Sequence, residues 1–206
     1  MRLRGARITI RPMKRTDVDA MAQWRPAIDP LYQPFDFPRR SRAEHVRWFE
    51  WRNRDPSRRL YTIEDETHRV IGSLTLREIN GHSSARLGIT LGADFVSQGY
   101  GTEALKLFLD YYFGKMGFAQ MVLDVAATNL RAVRSYQSLG FRQIDYHYRP
   151  ADHPSYRRIQ QDPHYRHLRV YLRQQAGLTQ VLFYDMILTR EEWCRISPNE
   201  GRCEPD

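Results

Sequence analysis

The chain has 206 residues, of which 41% are hydrophobic and 27% charged, with a formal net charge of +8 and an isoelectric point near 9.7. That composition is the composition of a soluble globular protein, and the length suits one domain with a core large enough to need no disulfides. No stretch approaches the roughly 18 apolar residues that span a bilayer, the opening MRLRGARITIRP lacks the apolar run of a signal peptide, and two cysteines near the C-terminus, Cys194 and Cys203, indicate neither a disulfide framework nor a zinc site.

Along the chain, Arg7 to Arg11 alternates and predicts a first strand. Thr16 with Asp19 three residues on predicts the start of a short helix reaching Trp24. The proline- and aromatic-rich stretch from Pro26 to Pro38 reads as a loop. Ser41 with Glu44 is a capping box that opens a second helix through Trp48 and Trp51. Leu60 to Ile63 and Val70 to Leu76 then flank a polar run and predict a hairpin, Asn80-Gly81 marks the next turn, and Ala85 to Leu91 is a further strand. A helix is expected from Thr102 to Met116, with Leu105, Phe108, Leu109, Tyr112, Phe113 and Met116 forming its apolar stripe and Gly117 ending it. Met121 to Ala126 reads as a strand buried on both faces. Asn129 caps a helix running to Leu139 and closed by Gly140. Phe141 to Tyr148 and Val181 to Leu188 complete the strands.

The last two strands are separated by Arg149 to Gln180, too long for a hairpin loop. This insertion carries its own helix signal, with Asp162 as cap, Pro163 in the first turn and Gly177 past the end. Its apolar residues Tyr165, Leu168 and Leu172 require a surface to dock on, either the body of the protein or a second copy of the chain. His153, His164 and His167 have no carboxylate or thiol set to complete a metal site, so no metal is expected. The expectation is one mixed α/β domain over residues 1–198 with an insertion at 149–180 and a polar, frayed tail from 199 to 206.

The chemistry concentrates between Leu87 and Phe141. A strand ends at Leu91, and Ser97-Gln98-Gly99-Tyr100-Gly101-Thr102 leads straight into a helix. Glycines let a backbone approach a ligand closely, and the first turn of a helix offers N–H groups and the positive end of a dipole, which together suit a pyrophosphate. The run lacks the GKS/T of a Walker loop and the spacing of GxGxxG. One helix and one strand later stand Asp124, Asn129, Ala132, Tyr136 and Leu139-Gly140-Phe141.

These two segments resemble the GNAT acetyltransferases. Gly99-Tyr100-Gly101-Thr102-Glu103-Ala104-Leu105 is similar to that family's CoA pyrophosphate loop, and Asn129…Tyr136…Leu139-Gly140-Phe141 to its second CoA-contacting segment. The opening Ile8-Thr9-Ile10-Arg11-Pro12 and the Val70-Ile71-Gly72 strand are most like the ribosomal-protein N-terminal and spermidine acetyltransferase branch. The resemblance implies a mixed central sheet splayed between its fourth and fifth strands, with helices on both faces. It further implies acetyl-CoA as co-substrate, held by Ile89, Thr90, Leu91, Gln98, Gly99, Tyr100, Gly101, Thr102, Asn129, Ala132 and Tyr136. The family's loop usually carries Arg or Gln three residues before the first glycine, where this chain has Val96; Gln98 is out of register.

In the mechanism so implied, N–H groups near Ile89 to Leu91 polarise the thioester carbonyl, a carboxylate takes a proton from the amine, and Tyr136 protonates the departing thiolate. Asp124 and Glu78 are the candidate bases; Asp124 reads equally well as a structural, hydrogen-bonded carboxylate, and Tyr136 also as a packing residue. The acceptor is expected to be a protein N-terminus or a small amine. Residues 29–40 and 149–180, where the family builds its acceptor groove, hold only Asp29, Asp36, Asp152 and Asp162, sparse for a polyamine. Arg166, Arg169 and Arg173 are expected to wall that groove. Alternatives are a CoA-binding module without catalysis and, on charge alone, a nucleic-acid binder through Arg39, Arg40 and Arg42. A homodimer and a cytoplasmic location complete the expectations.

Overall fold

The computed structural model describes residues 1–197; the tail expected from residue 199 lies outside them. The described residues contain nine strands, β1 (Leu3–Arg4), β2 (Ile8–Pro12), β3 (Arg59–Asp65), β4 (Val70–Asn80), β5 (Ser84–Leu91), β6 (Gln120–Ala126), β7 (Arg142–Pro150), β8 (Leu172–Gln175) and β9 (Leu178–Thr189). Six α-helices accompany them: α1 (Arg15–Met21), α2 (Arg42–Arg54), α3 (Tyr100–Asp110), α4 (Leu130–Ser138), α5 (Ser155–Gln161) and α6 (Arg190–Ile196). The chain divides into two compact units: Met1–Arg25, Phe37–Val122 and Leu188 onward form the first, and Pro26–Asp36 with Leu123–Ile187 the second.

In the first unit β1 to β5 follow one another as antiparallel neighbours. The α3 crossover then brings the start of β6 beside the start of β5, where Ala119 N–H donates to His82 O (2.9 Å) and Gln120 N–H to Ser83 O (3.0 Å). Alternation along β3 sends adjacent side chains to opposite faces. Leu60 joins Met13, Val18 and Met21, against which Trp24, Trp48 and Phe49 pack, whereas Tyr61 meets Phe108 of α3 at 5.1 Å between ring centroids. Helices therefore cover both faces, as expected. The expected capping box of α2 is present: Ser41 N–H donates to Glu44 Oε2 (2.9 Å) and Glu44 N–H to Ser41 Oγ (3.3 Å). The cap of α1 differs from expectation. Lys14 N–H donates to Asp17 Oδ2 at 2.7 Å, while Asp19 pairs with Arg15 at 2.6 Å. Asp17 is taken inward because its carboxylate also receives both Nη groups of Arg11 (2.7 and 2.8 Å) and the Thr62 hydroxyl (2.8 Å). The expected long helix stops being α-helical at Asp110 and continues as one wide turn over Tyr111–Lys115, ended by Gly117 at φ 71°.

In the second unit the strand order is β6, β9, β7, with β8 paired to the other end of β9. The insertion is built differently from the single helix expected. Asp162 does cap, accepting from His164 N–H at 2.9 Å, but the segment that follows, Pro163–Tyr171, is a 3-10 helix. Its three-residue period puts Tyr165 and Leu168 in the core with Tyr171 beside them. Gly177 does not close a helix. Ala176 (φ 50°) and Gly177 (φ 76°) form the two-residue turn of the β8–β9 hairpin, the type that needs positive φ at both positions. The edge of β9 wins residues 172–175 from the helix. The stripe docks within its own unit: Tyr156, Ile159, Tyr165 and Leu168 form one core with Leu31, Ala126 and Val181.

Candidate active site

In the first unit β5 carries the thioester-side residues. Ile89, Thr90 and Leu91 face Leu74, Ser73 and Gly72 of β4. Gly72 leaves the room this pairing needs, because a Cβ would lie 2.9 Å from the Thr90 carbonyl oxygen and 2.5 Å from the Leu91 side chain. The chain leaves the strand through a turn at Ala93–Phe95, passes Ser97 at φ 61°, and enters α3 at Gly99 with φ 85°, a left-handed conformation that favours glycine. The N–H groups of Tyr100 and Gly101 have no acceptor inside the helix, and the bare Gly101 leaves room that a Cβ would fill to within 3.2 Å of Leu91. Tight turn, open N–H groups and dipole meet at one spot, which fits an anionic pyrophosphate.

Beside Val96 the loop is braced by Arg7. It donates from Nη1 to Gln98 O (3.0 Å) and from Nε to Glu103 Oε2 (3.0 Å), and its guanidinium lies 4.7 Å from the Tyr100 ring centroid. The Gln98 side chain turns back to Asp94 O (2.6 Å). Sequence reasoning missed Arg7, since a residue just before β2 has no spacing relation to the glycine loop; its place at the start of the Arg7 to Arg11 alternation was the one available hint. Glu78, the alternative base, also belongs to this unit. It sits at φ 55° in a β4 bulge, side chain 56% exposed, held by Arg86 (2.7 Å) and Arg77 (3.0 Å).

In the second unit Asn129 caps α4, its Oδ1 accepting from Ala132 N–H at 3.2 Å. Tyr136 lies two turns on, buried, edge-on to Phe141 at 5.7 Å. Burial, and after it the charge of Asp124, push the Tyr136 hydroxyl well above its ordinary pKa. Asp124 is on β6 with its side chain 6% exposed, paired to Arg149 Nη1 at 2.8 Å. The pairing extends: Arg149 Nε donates to His147 Nε2 (2.8 Å), and His147 Nδ1 meets Asp185 Oδ2 at 2.7 Å. Because the guanidinium can only donate, His147 accepts at Nε2 and carries its proton on Nδ1. Arg149, read from sequence as the first residue of an insertion, is thus a partner of a candidate site residue.

The same unit holds an open cavity of about 440 Å³ lined by Asp29, Leu31, Tyr32, Leu130, Arg131, Arg134, His164, Tyr165 and His167. None of the three arginines expected to form a wall lines it. Arg166 is exposed, Arg169 reaches Gln161 O (3.4 Å), and Arg173 bonds Gln180 (2.7 Å) and lies over Tyr148. No helix among the described residues is long and apolar enough to cross a membrane, and no cluster of three or more His, Cys, Asp or Glu among them is placed to hold a metal.

The family model described as "Acetyltransferase (GNAT) domain" matches residues 7–142. The spermidine N(1)-acetyltransferase of Vibrio cholerae serotype O1 is 26% identical over 148 residues, covering 66% of this chain and 80% of that one. A crystal structure of spermidine N-acetyltransferase from Vibrio cholerae in complex with CoA and spermine superposes with a TM-score of 0.67 at 21% identity, covering 90% of this chain and 97% of that chain. A GNAT-family acetyltransferase from Bacillus anthracis has a TM-score of 0.65 at 13% identity, with 93% and 99% covered. With the matched segment spanning both the glycine loop and the Asn129–Phe141 segment, the chain belongs to the GNAT acetyltransferase family and is an acetyl-CoA-dependent acetyltransferase.

Proposed function

We propose that the chain transfers the acetyl group of acetyl-CoA to the primary amine of a small molecule, by direct attack within a ternary complex. The observation that carries this reading is Tyr136: a buried tyrosine kept protonated by its surroundings, on the helix capped by Asn129. Bound acetyl-CoA supplies the acetyl group and departs as a thiol. Gly99 to Thr102, braced by Arg7, would hold its pyrophosphate, and N–H groups along Ile89–Leu91 would orient the carbonyl and stabilise charge on its oxygen. Tyr136 would protonate the departing sulfur, a task for which a group with a pKa above that of a thiol, about 8.5, remains loaded at neutral pH. A catalytically inert CoA-binding module needs no such acid.

Of the two candidate bases, each carboxylate is engaged by arginine. Asp124 is the better placed, its side chain being buried, paired with Arg149 and in electrostatic contact with Tyr136. A relative acts on spermidine, yet three of the four acids in the acceptor segments are spent internally here. Asp29 accepts from Leu31 N–H and the Tyr165 hydroxyl, Asp36 from Ala27 N–H, and Asp162 from His164 N–H. A small monoamine therefore fits better than a polycation or a protein N-terminus. An acetylation screen of monoamines, polyamines and N-terminal peptides, read by CoA release, tests this; turnover confined to peptides would overturn it.

A further inference from the structure

Residues 39–59 carry eight arginines against three acids, so this short segment around α2 holds +5 of the chain's formal net charge of +8. The acids do little to offset it. Glu44 closes the Ser41 capping box. Asp55 accepts from the Ser57 N–H, the Ser57 hydroxyl and Arg58 Nε (2.9, 2.6 and 2.8 Å). Glu50 reaches Arg54 only at 3.9 Å. Among the described residues Arg40, Arg47 and Arg52 form no ion pair. The like charges are close enough to be felt: burial first, then Arg58 and Arg40, hold Arg52 below its ordinary pKa.

What surrounds Arg52 is aromatic. Its guanidinium lies 4.5 Å from the Trp48 ring centroid and 5.4 Å from that of Trp51, and the Arg58 guanidinium lies 5.3 Å from the latter. The two tryptophans are used differently. Trp48 packs against Met13, Val18, Met21 and Leu60 and meets Phe37 at 5.6 Å. Trp51 is left outside that core, 61% exposed. Arg47, Trp51 and Arg54 follow one another at four and three residues, neighbours along one face of α2, and all three are exposed. The face therefore presents an open indole ring between two arginines, on a helix whose cations outnumber its anions.

We propose that this face of α2 binds single-stranded nucleic acid, with phosphates on Arg47 and Arg54 and an unpaired base stacked on Trp51. A row of arginines supplies the sequence-independent attraction to phosphate. An exposed aromatic ring adds stacking with an unpaired base, which a duplex, its base faces already covered, cannot offer. An acidic peptide would satisfy the charge and leave the ring without a matching partner. The surface lies in the first unit and uses none of the residues assigned to acetyl transfer, so it stands or falls independently of the proposed reaction.

The test uses the full-length protein with CoA present throughout, so that the oligonucleotide does not compete for the cofactor's own site. The probe is an oligouridine of about twelve nucleotides, followed by fluorescence anisotropy, with a duplex of equal length and polyglutamate as competitors. Saturable binding with a Kd between about 1 and 100 μM is expected near physiological salt, weakening as salt rises. Trp51→Ala should weaken it about fivefold or more. The double variant Arg47→Gln, Arg54→Gln should lower the slope of log Kd against log salt by about one or more. Circular dichroism and Tm check that these exposed substitutions leave the fold intact, and quenching of wild-type tryptophan emission by unlabelled oligouridine gives a readout that needs no variant. Absence of saturable binding up to about 1 mM, well beyond the range of non-specific affinity, overturns the proposal. So does an affinity unchanged in Trp51→Ala, a salt slope unchanged in the double variant, emission that does not respond to the probe, or tighter binding of the duplex or of polyglutamate.

Discussion

Replacing Tyr136 by Phe isolates one oxygen atom. The ring stays, and with it the edge contact to Phe141 at 5.7 Å and the burial of the side chain. Stability is therefore expected to change by less than about 1 kcal/mol. The capping of α4 by Asn129 and the loop at Gly99 to Thr102 do not involve the hydroxyl, so affinity for acetyl-CoA should hold. What is lost is the proton donor. General acid catalysis contributes about 10²- to 10⁴-fold, which at about 1.36 kcal/mol per decade is roughly 2.7 to 5.4 kcal/mol of barrier. The assay is steady-state CoA release with a thiol reagent, alongside calorimetric binding of CoA. A pH profile adds a second test. Burial and the Asp124 charge raise the Tyr136 pKa above its ordinary 10, and the working form is the protonated one. Activity that depends on it should persist through the alkaline range and decline only above about pH 10. A kcat within a few-fold of wild type in Tyr136→Phe would refute the acid role and leave Tyr136 a packing residue. An alkaline limb near pH 8 that vanishes with the hydroxyl would keep the acid role and refute the raised pKa.

Gly101→Glu should abolish acetyl-CoA binding in calorimetry, because its Cβ meets Leu91 at 3.2 Å and its carboxylate would enter an anion site. Leu168→Ala, in the core of the second unit, should cost about 2–5 kcal/mol in denaturant unfolding; a cost near zero would show that the insertion does not stabilise the unit. Asp17, though burial raises its pKa, is held below its ordinary 3.8 by Arg11, Lys14 N–H and Thr62. Its stabilising contribution is thus complete above that value and lost as pH falls through the lower folded one. Asp17→Asn should therefore destabilise at neutral pH, where it leaves Arg11 short of a partner, and flatten the acid limb of the stability profile.

The elements of the first unit and the two chemical segments were legible because each is written locally. Ser41 and Glu44 cap α2 three residues apart, Gly99 and Gly101 punctuate a strand-to-helix turn, and Asn129 stands directly before the helix it caps. Local signals failed where a distant partner outbid them. Asp17 rather than Asp19 caps α1 because Arg11 and Thr62 hold its carboxylate from neighbouring strands. Residues 172–175 pair with β9 rather than prolonging the preceding helix because an open strand edge lay within reach. The same holds for the site. Sequence alone selected Tyr136, Asp124 and the glycine loop, since their spacing along two successive βα units is a property of the chain. Only the folded structure could add Arg7 beside Gln98, 91 residues away, join Arg149 to Asp124, and gather Arg131, Arg134, His164 and His167 around one cavity. Ion pairs and cavities depend on distances through space, and the order of residues sets those distances only after the sheet has paired.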